Sequence, residues 1–330
     1  MSLTIGLTYD LKRDYLALGY KEEEVAEFDA DITIDTIERT IAELGFKTDR
    51  IGHVRALCTR LAAGARWDLV FNIAEGVSGR SREAQIPCLL EAYDIPYTLS
   101  DPLVCAVTLD KAVAKRILKA EGLNTAGFHV VHTESDVAKV NLPFPLFAKP
   151  IAEGTGKGID RASRITNAAE LRAVCQTLLL KFNQPVLIEE YLPGREFTVA
   201  ILGTGPQARV MGTMEVCFRD TSTPTIYTYE VKENYTSHVD YHCPPRTPET
   251  EAVERLALDS YRALELRDAG RVDIRLDRDN RPSFMEVNPL PGLNPLHSDL
   301  PIIGKLIGMS YRDIIRSIIE SARTRIAKPA

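Results

Sequence analysis

Residues 271–288, RVDIRLDRDNRPSFMEVN, constrain the fold more than any other part of this chain. From Arg271 to Asp277 apolar and charged residues alternate, the signature of a strand whose successive side chains point to opposite faces. Val272, Ile274 and Leu276 belong to one face, Arg271, Asp273 and Arg275 to the other. Asp279 and Asn280 supply a turn. The return run alternates again, with Ser283, Met285 and Val287 expected on one side and Phe284, Glu286 and Asn288 on the other. Asp273, Glu286 and Asn288 then share one face of a hairpin. Two carboxylates and an amide oxygen suit a hard cation that keeps some waters and also binds phosphate, which describes Mg²⁺. The plainer alternative is a solvated strand face.

With 330 residues, 45% of them hydrophobic and 26% charged, the chain is long enough for two or three globular domains. A formal charge of -6 excludes a broad nucleic-acid footprint, which needs clustered Lys and Arg in excess. The six cysteines are scattered without a CxxC pair, so neither a disulfide framework nor a zinc ribbon is expected, and a reduced cytoplasmic setting fits best. Residues 1–7 lack the features of a signal peptide, and no stretch approaches membrane-spanning length.

The chain in order reads as an open α/β unit first. Residues 3–9 (LTIGLTY) and 67–73 (WDLVFNI) are buried strands, and an amphipathic helix from Asp31 carries Ile34, Ile37, Ile41 and Leu44 before Gly45 closes it. No glycine fingerprint follows the first strand; an acidic segment around Glu22, Glu23, Glu24 and Glu27 does, as a solvated loop or a substrate lid. Asp101-Pro102 marks a boundary, and 108–120 reads as one basic helix. The glycine-rich loop at 153–158 is not a Walker A loop, because Ile151 replaces its first Gly and Gly158 its hydroxyl residue. It fits either a flap over phosphates or a plain glycine turn. Strands are expected at 145–150, 186–190, 196–202, 208–214 and 226–231, and helices at 168–180, 247–264 and 311–322. His238, His242 and Cys243 lack a fourth ligand, so no zinc site is expected there.

Taken together, six ordered blocks resemble the ATP-grasp superfamily, and within it the D-alanine:D-alanine ligase family. They are IPYTLSDPLVCAVTLDK (95–111), AKPIAEGTGKG (148–158), IEEYLPGREFTVAIL (188–202), TYEVK (228–232), GRVDIRLD (270–277) and EVNPLPG (286–292). The resemblance implies an α/β ATP-grasp fold behind an N-terminal open α/β, Rossmann-like domain, divided at 1–101, 102–190 and 191–330. It implies that Lys111 and Lys149 hold ATP phosphates under a flap of Gly154, Thr155 and Gly156. Glu189 would face the adenine amino group, Glu190 and Leu192 the ring edge, Glu196 the ribose, and Lys232 the γ-phosphate. Asp273, Glu286 and Asn288 would hold two Mg²⁺ ions, which Mn²⁺ could replace. Arg271 and the Gly292 N–H would stabilise an oxyanion, and Ser298 would fix a substrate carboxylate. Small amino-acid or peptide substrates and a homodimer are also implied, with no nucleic-acid or membrane partner.

The departures lie on the substrate side. The Gly-Gly and Ser-containing loop with its ammonium-binding Glu has no match in LTYDLKRDY. Where the family has His-Gly and then Gly-Glu-Asp-Gly, this chain has Ala74-Glu75-Gly76 and later Gly79-Arg80-Ser81-Arg82-Glu83. Thr155 replaces the flap Ser, and Glu233 stands where Tyr is expected. The expectation is therefore a carboxylate-amine ligase acting on amino acids other than D-alanine. An authentic D-alanine:D-alanine ligase and a non-catalytic nucleotide-binding protein are the alternatives.

Overall fold

The computed structural model describes residues 3–219 and 239–326. Lys232, the TYEVK block, the strand expected at 226–231 and His238 lie outside the described residues. The N-terminal part runs β1 (Thr4–Thr8), α1 (Lys12–Ala17), α2 (Asp31–Glu43), β2 (Lys47–Gly52), α3 (Val54–Ala62), β3 (Leu69–Asn72) and α4 (Gln85–Ala92). Its strands form a parallel sheet in the order β2-β1-β3. Parallel neighbours need crossover connections, which α2 and α3 supply.

The single helix expected over 108–120 is two, α5 (Pro102–Leu109) and α6 (Lys111–Ala120). Asp110 leaves helical geometry, with ψ 95°, and its side chain caps Val113 N. An N-capping carboxylate thus overrides the helix propensity around it and puts Lys111 in the first turn of α6. Next come β4 (Phe128–Val131), β5 (Leu146–Pro150), β6 (Arg164–Ile165), α7 (Ala168–Phe182) and β7 (Val186–Glu190). These strands make an antiparallel sheet in the order β4-β7-β5-β6.

The remainder contains β8 (Glu196–Leu202), β9 (Arg209–Phe218), β10 (Val239–His242), α8 (Pro248–Ala263), β11 (Ala269–Leu276), β12 (Pro282–Asn288), α9 (Asp299–Ile307) and α10 (Tyr311–Arg323). The sheet order β10-β9-β8-β11-β12 is covered on both faces. Phe197, Val199 and Ile201 pack with Val272 and Ile274 against α8, through Val253, Ala257 and Tyr261. Ala200 and Leu202 point the other way, into a core shared with Ile34, Ile37 and Ile41 of α2 and with Ile314, Ile315, Ile318 and Ile319 of α10. The last helix therefore closes against α2 and the N-terminal sheet. This shared core holds the N-terminal sheet over the end of β12.

The hairpin β11–β12 corrects the expected alternation. Asp273 lies opposite Glu286 but Ile274 lies opposite Phe284, so the register shifts and Met285 is extra. A bulge of one residue reverses the phase of every side chain before it. Phe284 consequently joins Ile274 in the core, fully buried, and Ser283 falls opposite Arg275. Beyond the bulge Asn288 lies opposite Arg271 and Val287 opposite Val272. Asp273, Glu286 and Asn288 do share a face, whereas Phe284 leaves it.

Candidate active site

A cavity of about 380 Å³ opens where the end of β12, the start of α6, the glycine-rich loop and the N-terminal acidic segment meet. Among the residues singled out in the sequence, Lys111, Gly154, Thr155, Arg271, Glu286, Asn288, Gly292 and Ser298 line it. Lys149, Gly156, Glu189, Glu190, Leu192, Glu196 and Asp273 do not form its wall.

At one end the hairpin concentrates charge. Arg271 donates through Nε and Nη2 to Asp273 Oδ2, at 3.2 and 2.9 Å, and through Nη1 to Asp299 Oδ2 at 2.7 Å. Glu286 lies 3.9 Å from Arg271 and 3.5 Å from the Lys111 ammonium. Burial opposes the charge on Arg271, but Asp273, Asp299 and Glu286 overcome it and raise its pKa. The Asn288 amide satisfies its neighbours with its oxygen toward Arg271, where it accepts from Nη2 at 2.5 Å and Nε at 3.2 Å.

Behind this end lies a buried ion cluster. Glu189 stands between Lys115, at 2.7 Å, and Lys149, at 2.9 Å. Lys115 also donates to Thr125 Oγ1 and to the Phe284 carbonyl. Burial works against the Glu189 charge, yet the two ammonium groups hold its pKa down at about 2. One carboxylate cannot fully answer two ammonium groups. Lys115, driven mainly by burial, is lowered to about 8, whereas Lys149 is raised, Glu189 and Glu286 outweighing its burial. Glu190 accepts from Gly127 N at 3.0 Å, and Glu196 pairs with Arg275 at 3.2 Å.

At the other end, the acidic segment is solvated at Glu22 and Glu24, whereas Glu27 turns inward. Glu27 accepts from Gly154 N at 2.5 Å and from Arg82 Nη2 at 2.8 Å, and Lys157 lies 3.6 Å away. Burial opposes ionisation of Glu27, but Arg82 and Lys157 together hold its pKa below the ordinary value. Thr155 and Gly156 both take positive φ, 53° and 74°, a conformation that glycine adopts at no steric cost. Beside β12, Ser298 Oγ accepts from Asn294 N at 3.0 Å. A Cβ on Gly292 would lie 2.7 Å from that Oγ, so only glycine fits without displacing it.

Sequence reasoning missed the pairing of Lys115 with Glu189 and the charged group that Glu27 forms with Arg82, Glu75 and Glu83. One signal was available: Lys111 and Lys115 are four residues apart on a helix and therefore share a face. The others meet only through contacts between segments distant in sequence.

Residues 117–320 match the family model described as D-ala D-ala ligase C-terminus. A D-alanine–D-alanine ligase of Bordetella petrii is 34% identical over 300 residues, spanning 90% of this chain and 83% of that one. An uncharacterised protein, y4sG, of Sinorhizobium fredii is 32% identical over 264 residues, covering 78% and 75% of the two chains. A crystal structure of D-alanine–D-alanine ligase from Bacillus anthracis complexed with ATP superposes with a TM-score of 0.72 at 22% identity, covering 98% of both chains. That likeness carries the ATP-grasp fold. Among the described residues no helix is long and apolar enough to cross a membrane. Fold, family model and relatives agree with the six blocks read from the sequence, and the chain belongs to the D-alanine–D-alanine ligase family of ligases that form carbon-nitrogen bonds.

Proposed function

We propose that this chain is an ATP-dependent carboxylate-amine ligase that joins amino-acid substrates other than D-alanine through an acyl phosphate. The observation that carries the reading is the convergence of Arg271, Glu286, Asn288 and Lys111 on one cavity beside Asp273. Asp273, Glu286 and Asn288 fit a hard divalent cation: all three offer oxygen from one face of the hairpin, where Asp273 pairs with Glu286 and Arg271 with Asn288. Bound there, Mg²⁺ or Mn²⁺ would neutralise phosphate charge during transfer.

The remaining roles belong to the protein's own groups. Lys111 and Lys149 would bind phosphate oxygens, with Lys232 at the γ-phosphate, and Gly154, Thr155 and Gly156 would cover them. Glu189 holds two ammonium groups, but a carboxylate has about four acceptor sites, which leaves capacity for an adenine amino group. Glu190 and Leu192 would meet the ring edge and Glu196 the ribose. A carboxylate oxygen of one substrate attacks the γ-phosphorus, and ADP departs. The amine of the second attacks the acyl-phosphate carbonyl, phosphate leaves, and the nitrogen loses a proton. Arg271 and the Gly292 N–H would donate to the oxyanion of that step, while Ser298 would receive the second substrate's carboxylate. We read the units as 1–101, 102–190 and 191–330, assembled as a homodimer.

A screen of ADP release with D- and L-amino acids and dipeptides tests the reading. Turnover is expected with a pair other than two D-alanines. Bound nucleotide with no ADP release for any pair would overturn it. Efficient formation of D-alanyl-D-alanine would favour the second reading, which the names of the relatives support.

A further inference from the structure

Glu83 is only 7% exposed, lines the cavity, and has an Oε2 without a hydrogen-bond partner among the described residues. Glu75, on the loop after β3, lines the same cavity and makes no hydrogen bond or ion pair among the described residues. The backbone forces the two segments together. Gly76 donates its N–H to Asp10 Oδ2 at 2.9 Å and takes φ 72°, and a Cβ there would lie 2.7 Å from the Arg82 carbonyl oxygen.

The neighbouring cations Arg82 and Lys111 make their hydrogen bonds elsewhere, and although both pull the Glu83 pKa down they do not outweigh its burial. Arg82 donates to Glu27 and to the Ala152 carbonyl, and Lys111 donates to the Glu153 carbonyl and faces Glu286. An isolated carboxylate out of water is strongly unfavourable unless something supplies the opposite charge. Burial, reinforced by mutual repulsion, raises the pKa of Glu75. In Glu83 burial also dominates and raises it to about 7. Asp29 is a third acid on the same wall. One α-ammonium, as alanine carries, can pair with one of these groups as it gives up its proton, and a second ammonium can do the same for another.

We propose that Glu75 and Glu83 form a receptor for a substrate ammonium, and that the preferred substrate is a diamino acid with a second primary ammonium on its side chain. This rests on the ligase reading for its chemistry, but the receptor itself does not require turnover. The receptor is therefore tested by binding. The full chain, loaded with Mg²⁺ and a non-hydrolysable ATP analogue, is titrated calorimetrically with lysine, ornithine and 2,4-diaminobutyrate of both hands, against norleucine and alanine.

At least one diamino acid should bind about a hundredfold more tightly than its neutral counterpart, since a site built around polar partners rejects analogues that lack them. Glu83→Gln and Glu75→Gln should each lose about tenfold of that preference. Their thermal midpoints should not fall, whereas loss of a purely structural carboxylate would lower them. Equal affinity for the neutral analogues, or a preference that survives both substitutions, would overturn the receptor. Tight diamino-acid binding without ADP release for any partner would instead sink the ligase reading and leave the receptor standing.

Discussion

The ammonium of Lys115 meets Glu189 at 2.7 Å with none of its side chain exposed to solvent. Breaking a buried pair by removing one partner is strongly destabilising, because the other charge stays behind. Here Lys149 also holds Glu189, which softens the loss. Lys115→Met should destabilise the protein by about 3 kcal/mol, read as a lower urea midpoint. An unchanged midpoint would show that Lys149 alone suffices.

Glu286→Gln removes one charge from the proposed cation site and keeps the side-chain shape. ADP release should fall about a hundredfold or more, with a steeper requirement for Mg²⁺. The circular dichroism spectrum should not change. Normal turnover at normal Mg²⁺ would remove Glu286 from the metal site.

Glu27 ties the acidic segment to the glycine-rich loop by accepting from Gly154 N. Hydrogen bonds to charged groups contribute about 1.5–3 kcal/mol, so Glu27→Gln should speed amide exchange at Gly154 about 10- to 100-fold. Exchange as slow as in the parent would mean that the loop is held without this contact.

Burial pushes the Glu83 pKa up from 4.5 to about 7, against the pull of Arg82. A carboxyl raised in the folded state keeps its proton more tightly there than when unfolded. Its contribution to stability therefore falls as pH climbs from 4.5 through about 7. Glu83→Gln carries no charge at any pH. The variant should match the parent near about pH 4 and exceed it by on the order of 3 kcal/mol near about pH 8. Parallel stability curves for the two proteins would contradict the raised pKa.

Much of the fold was legible because its signals are local. Alternation marked β11 and β12, helical spacing of isoleucines marked α2 and α10, and the glycines at 154–158 marked the loop. Two local signals misled. Continuous helix propensity across 108–120 hid the break at Asp110, where a side chain satisfies a backbone N–H. The bulge at Met285 hid the true face of Phe284, because an extra residue changes phase without changing composition.

By itself, the sequence determined the family, the face shared by Asp273, Glu286 and Asn288, and much of the order of elements, though not β2, α3, α5 or α9, since each of these readings depends on residues close together or on ordered blocks. Only the tertiary structure decided where each charge finds its partner. Glu27 reaches Gly154 across 127 positions and Lys115 reaches Phe284 across 169. Ion pairing depends on distance and burial, which spacing along a chain does not encode. The same packing leaves Glu75 and Glu83 facing the cavity, and substrate choice is expected to rest on them.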